Sequence, residues 1–474
     1  MRQRSWRTFE DPDETAIFQA FSGSLRVAEI LLLRAAMRAS HLLLLAASSL
    51  AVVSGCSSSS TSSPSDPTKP SNDGAVVASQ QSRIMQPNVP ASDATALRDG
   101  NTAFAADLYQ VLRADPDWKD KNVFFSPYSI SLALAMAYAG AHGNTETQMA
   151  SAMHYTLPQA QLHPALNALD LALSSRGQGA KGDDGKAFRL RVTNSMWGAP
   201  QDTFAPSYLD TIAQNYGAGI RLTDFAANPE AARGTINTWV DQQTEDRIKE
   251  LLPAGSIDDS TRLVLVNAIY FNAAWQTPFE KAVTRAGTFH GLAGDSAAEL
   301  MSQGGDLAYA KGDGWQAVSL PYDGNELSFV AVLPDQFGSF ETAFSAEQAT
   351  AIASSLASTP VELQLPKFKI EGASFSLRKA LVARGMTDIF DEAKADLSGI
   401  THTEPLHVSD VIHQAFVSVD EAGTEAAAAT AVIAVGGTSV HPDPIQVTMD
   451  RPFVFFVRDN ATGAILFLGR VVKI

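Results

Sequence analysis

The apolar residues follow a helical period in the first half of the chain. Phe104, Leu108 and Leu112 recur at the spacing of one helix face. Ser126 and Pro127 predict the beginning of another helix, because serine caps a helix end and proline fits its first turn. The first half of the chain is therefore predicted to be mainly helical.

Strand-like patterns dominate the second half. The run Arg262–Phe271 is almost continuously apolar, which is typical of a central strand covered on both faces. Six further segments carry strand signals: Trp315–Pro321, Leu327–Leu333, Val361–Ile370, Ile445–Met449, Phe453–Val457 and Ala464–Val472. Because helices and strands do not alternate strictly, the predicted fold class is α+β.

One segment fits neither pattern. Residues Asp420–Val440 read DEAGTEAAAATAVIAVGGTSV, an alanine run that favours a helix, followed by valines, threonines and glycines that do not. Glu421–Val440 contains no proline, so nothing in it prevents pairing on both sides as a central strand. On its own, this segment fits an alanine-rich surface linker or a frayed helix equally well.

The N-terminal region has the layout of a signal peptide. A basic start at Arg38 is followed by the apolar run Leu42–Val53 and by small residues up to Cys56. The apolar run is too short to span a membrane. Met37 is predicted to be the true start, and residues 1–36 are excluded from reasoning about the fold. The polar stretch Ser57–Gly74 predicts a tether.

Composition narrows the classes of function. The chain has 474 residues, 45% hydrophobic and 18% charged, with a net charge of −16, which argues against a nucleic-acid partner. The single cysteine excludes an intrachain disulfide. Hydrolase, phosphate-binding and metal-binding motifs are missing, and the nine histidines are scattered. We therefore predict that the protein is not an enzyme and holds no metal or cofactor.

Several segments, in order, resemble the serpin family of serine protease inhibitors. They include NVFFSPYSI at Asn122–Ile130, LVNAIYFNAAWQTPF at Leu265–Phe279 and VIHQAFVSVDEAGTEAAAAT at Val411–Thr430. The chain ends on a further match, RPFVFFVRDNATGAILFLGRV, and the resemblance covers about residues 100–474. Separately, VSGC at Val53–Cys56 resembles the lipobox of bacterial lipoproteins. An ordinary signal peptide with a chance cysteine is the alternative.

The resemblance implies a domain organisation and a fold. Residues 1–55 are predicted to be the signal-peptide region, residues 56–99 a lipid-attached linker rich in serine and proline, and residues 100–474 the serpin domain. The implied fold has a large central β-sheet, two further sheets and about eight to nine helices. It also has an exposed reactive-centre loop, which would correspond to the segment Asp420–Val440.

The resemblance also implies suicidal covalent trapping: the loop is cleaved by a target protease and inserts as a new central strand. The implied hinge comprises Glu421, Gly423, Thr424, Glu425, Ala426, Ala427, Ala428, Ala429 and Thr430. In the family register Thr424, Ala426, Ala428 and Thr430 point into the packed side, and Glu425 faces water. The reactive bond is predicted at Gly437–Thr438, within Val435–Val440. Small residues there favour an elastase-like or subtilisin-like target.

Five residues outside the loop match positions with roles in the family. Ser126, Ser129, Asn267 and His413 match the shutter, a polar cluster beneath the point where the sheet parts. Trp275 matches the breach, where the loop first inserts. A purely structural polar core, with Trp275 as ordinary core, is the alternative for all five.

The predicted partners are a target serine protease, bound as a covalent acyl complex, and a membrane reached through lipidated Cys56. The predicted location is the cell envelope, lipid-anchored on the periplasmic or surface face of the outer membrane, or extracellular. The protein is expected to be a monomer. Two alternatives stay open: a non-inhibitory serpin that acts as a tethered binding module, and an unrelated lipoprotein hydrolase.

Overall fold

Nine helices and two sheets make up the part of the chain that the computed structural model describes. That part is residues 74–424 and 443–474, without residues 183, 372, 373 and 404. All of it belongs to one compact unit, Lys69–Ile474. The mixture of helices and large sheets confirms the predicted α+β class.

The described helices lie mostly in the first half of the chain, as the periodicity predicts. They are α1 (Ala91–Ala114), α2 (Pro127–Tyr138), α3 (Gly143–Met153), α4 (Gln159–Ser174), α5 (Pro206–Tyr216), α6 (Pro229–Gln243), α7 (Phe337–Ala343), α8 (Ala346–Ser355) and α9 (Arg378–Ala383). The Ser126 Oγ accepts a hydrogen bond from the Ser129 N–H at 3.1 Å, so the predicted cap of α2 is present. No described helix has both the length and the apolar character needed to cross a bilayer.

The central sheet contains eight of the described strands. They are β1 (Val76–Val77), β3 (Arg189–Gly198), β4 (Ile220–Leu222), β5 (Leu263–Ala274), β11 (Phe368–Glu371), β12 (Phe375–Ser376), β13 (Val411–Val419) and β14 (Gly423–Thr424). Their order is β1-β4-β3-β5-β14-β13-β11, and β12 also pairs with β13.

The second sheet contains the other nine described strands. They are β2 (Val123–Phe125), β6 (Arg285–Gly291), β7 (Gly294–Gly312), β8 (Trp315–Pro321), β9 (Leu327–Pro334), β10 (Ala357–Pro366), β15 (Ile445–Thr448), β16 (Phe453–Asp459) and β17 (Ile465–Val471). Strand β7 is long enough to pair with β6 along its first part, with β10 along its middle and with β8 at its end. The two further sheets that the sequence predicts are therefore joined through β7 into one hydrogen-bonded network.

Strand β5 is covered on both faces, as its apolar run predicts. Leu265 and Ile269 belong to the main core between the two sheets. On the opposite face, Val264 and Val266 belong to a second apolar cluster, which includes Ile236 of α6. A strand in this position must be apolar on both faces, which explains why its sequence does not alternate.

The folded part begins earlier than the predicted boundary at residue 100. Strand β1 pairs antiparallel with β4 at the edge of the central sheet. The Arg83 Nη2 lies 2.6 Å from the Asp170 carboxylate on α4, and the Ile84 N–H donates to the Gln214 carbonyl on α5. The predicted linker 56–99 is therefore too long at its C-terminal end. These long-range contacts leave no periodic pattern in the short N-terminal segment.

Candidate functional site

The site is the junction between strands β5 and β13 of the central sheet. Over one stretch the two strands pair directly and in parallel, from Leu265 with Val411 to Ile269 with Ala415. Further along, the two-residue strand β14 lies between them. It is antiparallel to both, with Thr424 beside Ala273 of β5 and Val419 of β13. The sheet is thus closed at one end of the junction and already parted at the other.

A tight turn brings β14 back beside β13. The Asp420 N–H donates to the Gly423 carbonyl at 3.0 Å, and the Asp420 carboxylate accepts the Ala422 N–H at 2.8 Å. Aspartate favours such turns because its side chain can accept hydrogen bonds from nearby backbone groups. The turn fixes where the chain enters the gap.

Trp275 fastens this turn to the sheet. Its backbone N–H donates to the Ala422 carbonyl at 2.9 Å, and its indole Nε1–H donates to the Asp420 carbonyl at 2.9 Å. The indole ring stacks on Tyr322 with centroids 4.7 Å apart and an interplanar angle of 13°. The predicted breach residue therefore lies where β14 separates the two strands.

Thr424 is the last hinge residue that the structure describes, and it is buried. Its hydroxyl lies 2.8 Å from the Tyr322 hydroxyl, on the core side of the sheet. This is the inward orientation that the family register implies for Thr424. A larger or charged side chain at this position would have to displace the Trp275–Tyr322 stack.

Glu421 is a buried carboxylate held by two partners. Its Oε1 lies 2.8 Å from the Lys367 Nζ and accepts the Thr284 hydroxyl at 2.8 Å. Burial by itself raises the pKa of Glu421, but the hydrogen bonds from Lys367 and Thr284 outweigh this and lower it. The same bond counters the effect of burial on Lys367, whose pKa is raised. The pair ties the turn before β14 to the segment before β11.

We expect Glu421→Gln to lower the free energy of unfolding by about 2 kcal/mol. The substitution removes the hydrogen-bonded charge pair with Lys367, and the carboxylate of that pair is buried. The matched control is Glu299→Gln, because Glu299 contacts the same Lys367 ammonium at 3.3 Å but is exposed. It should change stability by less than about 0.5 kcal/mol. Denaturant unfolding of both variants checks this, and equal effects would contradict it.

The four predicted shutter residues lie together where β5 and β13 are still paired. The Asn267 Nδ2 donates to the Ser129 Oγ, and its Oδ1 accepts from the His413 Nδ1, each at 2.5 Å. The Ser126 N–H donates to the His413 Nε2 at 3.2 Å. All four residues are buried. Breaking the β5–β13 pairing would pull Asn267 and His413 apart, so this network opposes separation of the two strands.

The hydrogen bonds define the protonation state of His413. Its Nε2 accepts a backbone N–H and carries no proton, so Nδ1 must be the protonated nitrogen that donates to Asn267. The ring is neutral. Burial lowers the pKa of His413 to about 3, which agrees with this assignment.

The remaining loop predictions lie outside the described residues. These are Glu425, Ala426, Ala427, Ala428, Ala429 and Thr430 of the hinge, and Gly437 and Thr438 of the predicted reactive bond within Val435–Val440. Cys56 also lies outside them. Within the described part, no cluster of three or more histidine, cysteine, aspartate or glutamate residues could hold a metal ion.

The sequence did not point to three residues of this site. Asn194 on β3 accepts the second hydrogen bond of the Asn267 Nδ2 at 2.5 Å. Tyr322 carries the stack with Trp275, and Lys367 pairs with Glu421. Each contacts a residue that is distant in sequence, so spacing along the chain gives no signal for it.

The chain matches the family model described as serpin (serine protease inhibitor) over residues 99–474, and it belongs to the serpin family. Human leukocyte elastase inhibitor is 37% identical over 386 residues, which cover 79% of this chain and 98% of that relative. An uncharacterized serpin-like protein of Thermococcus kodakarensis is 37% identical over 374 residues, 78% of this chain and 84% of that protein.

The fold agrees with this membership. The crystal structure of tengpin, a thermophilic serpin, in its native state matches with a TM-score of 0.72 and 28% identity. The match covers 85% of this chain and 100% of tengpin. Protease inhibition is thus the general function that membership supports.

Proposed function

We propose that the protein inhibits serine proteases by suicidal trapping, in which the cleaved loop continues the path that β14 begins. The observation that carries this proposal is the position of β14 between β5 and β13, antiparallel to both. Insertion replaces one parallel pairing with two antiparallel ones, which are somewhat more stable per residue. The loop backbone would then form hydrogen bonds with β5 on one side and with β13 on the other. These bonds supply part of the driving force for insertion.

The observed register defines how the loop would continue. Each further loop residue moves one residue back along both neighbouring strands, so Val432 would come beside Leu265 and Val411. Leu265 and Val411 are themselves paired in the structure, so the registers read from β5 and from β13 agree. Glu425 through Val432 would then fill the junction as a central strand.

Alternation places Ala426, Ala428 and Thr430 on the core side together with Thr424. Because these side chains are small, they would require less displacement of the core beneath the sheet than larger ones. On the opposite face, Glu425 would come beside Asn272, which is buried. The expectation that Glu425 faces water stays a prediction, and this register would place Glu425 in a covered position in the inserted state.

Cations flank the row that Glu425 would join. Arg189 pairs with Asn272 across β3 and β5, and Lys369 pairs with Ser418 across β11 and β13. Paired residues of neighbouring strands share a face, so an arginine and a lysine would lie two strands away on either side. Arg189 is already paired with Asp184 at 2.7 Å and with Glu245 at 3.4 Å, so its charge is largely balanced. Burial of Glu425, the only charge in the inserting segment, would therefore carry a cost that the rest of the insertion has to exceed.

The covalent step uses the target's own chemistry. The protease serine Oγ forms an ester with the carbonyl carbon of Gly437, and the Thr438 nitrogen leaves as an amine that takes a proton from the protease. Insertion then moves the ester, with the protease attached, by ~3.4 Å per inserted residue. Hydrolysis stalls because the displaced active site is deformed.

The residues around the proposed bond favour a protease with a small primary pocket. Val435–Val440 contains no arginine or lysine, which disfavours trypsin-like targets. The relative named leukocyte elastase inhibitor bears a name that points to the same class. We therefore propose an elastase-like or subtilisin-like target.

A denaturing gel of the purified protein mixed with pancreatic elastase or subtilisin tests this. The expected result is a covalent band near the summed mass and a cleaved form that melts at a higher temperature. Cleavage with neither result would identify a non-inhibitory serpin. Inhibition without a covalent band would reject trapping as the mechanism.

We also propose that Cys56 is lipidated and anchors the protein to the cell envelope. The lipobox-like VSGC and the polar stretch that follows support this. The full-length chain, expressed in a bacterium, should partition into the detergent phase of an extract, and the Cys56→Ser variant into the aqueous phase. Equal partitioning of the two proteins would reject the anchor.

A further inference from the structure

A cleft lies beside the shutter, outside the junction that the inserting loop would fill. It is formed by the end of α1, the turn after it, β11, β12 and the C-terminal residues, and its volume is about 720 Å³. Its main lining residues are Leu112, Trp118, Lys121, Phe124, Ile370 and Phe375. This volume lies in the range of pockets that bind small organic molecules.

The wall of the cleft is apolar and aromatic. The rings of Trp118 and Phe375 meet edge to face, with centroids 5.1 Å apart and an interplanar angle of 72°, and both are partly exposed. Leu112, Phe124 and Ile370 are buried beneath them. Partly exposed aromatic rings next to buried apolar side chains offer an apolar contact area to a ligand.

The rim of the cleft is basic, although the whole protein has a net charge of −16. Lys121 and Lys473 line the cleft, are exposed, and form no ion pair with any described residue. Lys379 also lines it but is already paired with Asp115 at 2.6 Å. Lys369 also lines the cleft, with its ammonium 5.4 Å from the centre of the Phe416 ring, and Asp117 is the second carboxylate of the lining. The lining therefore holds four lysines against two carboxylates.

A buried arginine holds the rim in place. The Arg470 guanidinium, 1% exposed, donates to the backbone carbonyls of Trp118 at 2.5 Å and Lys121 at 3.2 Å. The Asn122 Oδ1 accepts the Lys473 N–H at 3.1 Å. The backbone that presents Trp118 and the two lysines is therefore fixed before any ligand binds, which reduces the entropic cost of binding.

From these features we propose that the cleft binds an amphipathic organic anion, a carboxylate with a single apolar chain or ring system. The apolar part would lie on Trp118 and Phe375, and the carboxylate would lie between the ammonium groups of Lys121 and Lys473. A carboxylate suits this site because it accepts hydrogen bonds from both lysines.

Binding would also affect the shutter. The Phe375 ring lies edge to face against His413, with centroids 5.6 Å apart and an interplanar angle of 89°. Phe375 also pairs with His413 across β12 and β13. A ligand that packs on Phe375 holds this strand pair in place, so the folded protein should melt at a higher temperature when the site is occupied.

The test titrates the purified full-length protein with dodecanoate below its micelle-forming concentration, followed by calorimetry and Trp fluorescence. Dodecanol and dodecyltrimethylammonium serve as neutral and cationic probes of equal chain length. We expect saturable one-site binding of dodecanoate and at least tenfold weaker binding of the other two. Equal binding of dodecanol would overturn the anionic ligand class, and no saturable dodecanoate binding would overturn the site.

Two variants locate the site. The double variant Lys121→Ala/Lys473→Ala should bind dodecanoate about tenfold more weakly, because only the attraction of two charges is lost. Trp118→Ala should weaken dodecanoate and dodecanol alike, because it removes apolar contact. The control Lys249→Ala/Lys311→Ala removes two exposed lysines outside the cleft and should bind normally. If the control loses as much affinity as the cleft variant, the ligand binds elsewhere. None of these measurements depends on protease inhibition.

Discussion

The Thr424→Arg variant is expected to change from an inhibitor into a substrate of the target protease. Thr424 is fully buried and its hydroxyl contacts Tyr322 at 2.8 Å. Thr424 begins the path between β5 and β13 that the following loop residues would continue. An arginine here must either bury a guanidinium beneath the sheet without a partner or remain outside and block insertion. A buried charge without a partner lowers stability by about 3–5 kcal/mol.

A penalty of this size slows insertion by more than about a hundredfold, since each 1.4 kcal/mol corresponds to a factor of ten. Hydrolysis of the acyl ester would then be faster than displacement of the protease. We expect less than a tenth of the wild-type yield of covalent complex on a denaturing gel, with complete cleavage of the loop. The cleaved variant should melt no higher than the intact one.

Thr424→Ser is the matched control, because it keeps the hydroxyl that contacts Tyr322 and changes only one methyl group. It should retain the covalent band and the rise in melting temperature after cleavage. The uncleaved Thr424→Arg protein must itself melt cooperatively, which separates a block of insertion from a failure to fold. A normal yield of complex from folded Thr424→Arg would mean that the loop does not insert through the β14 position.

The elements with strong local patterns were predictable, and the site shows why others were not. The apolar run around β5 predicted a strand covered on both faces, because consecutive side chains of a strand point to opposite faces. The cap at Ser126 was predictable because its hydrogen-bond partner lies three residues away. Both signals arise within a few residues of sequence.

Contacts between distant segments carry no such signal. Glu421 reads as an ordinary charged residue until the fold brings Lys367 to its side. The pairing of β1 with β4 likewise joins segments more than a hundred residues apart. The two-residue strand β14 is too short for any periodicity, and only the resemblance to a family pointed to its role. The family resemblance predicts the hinge, whereas the contacts of Glu421 and Thr424 are known only from the structure.

Acid is expected to loosen the closed junction between β5 and β13 through His413. The described residues that contact its ring are Asn267, Ser126 and Phe375, and none of them can offer a charge to an imidazolium. Protonation of Nε2 would also break the hydrogen bond from the Ser126 N–H. Burial accordingly lowers the pKa of His413 to about 3. Burial likewise lowers the pKa of His163 to about 4; this residue lies on α4 and its Nδ1 is 2.6 Å from the Tyr216 hydroxyl on α5.

The sign of the effect follows from proton uptake. Above the unfolded pKa of about 6.5, both folded and unfolded states hold neutral imidazoles, and the free energy of unfolding does not depend on them. As the pH falls from 6.5 towards 4, the unfolded chain takes up a proton at each site and the folded protein does not. Stability is therefore lost, by about 1.4 kcal/mol per pH unit for each histidine.

Between pH 6.5 and pH 5 this amounts to about 2 kcal/mol for His413 and a similar loss for His163. Denaturant unfolding across this range measures the slope. His413→Gln and His163→Gln should each remove about half of it, whereas exposed His402→Gln should leave it unchanged. Only the loss at His413 acts on the β5–β13 junction, so His413→Gln should also make the yield of covalent complex less dependent on pH in this range. A slope that His413→Gln leaves intact would show that the shutter histidine does not control the stability of the closed sheet.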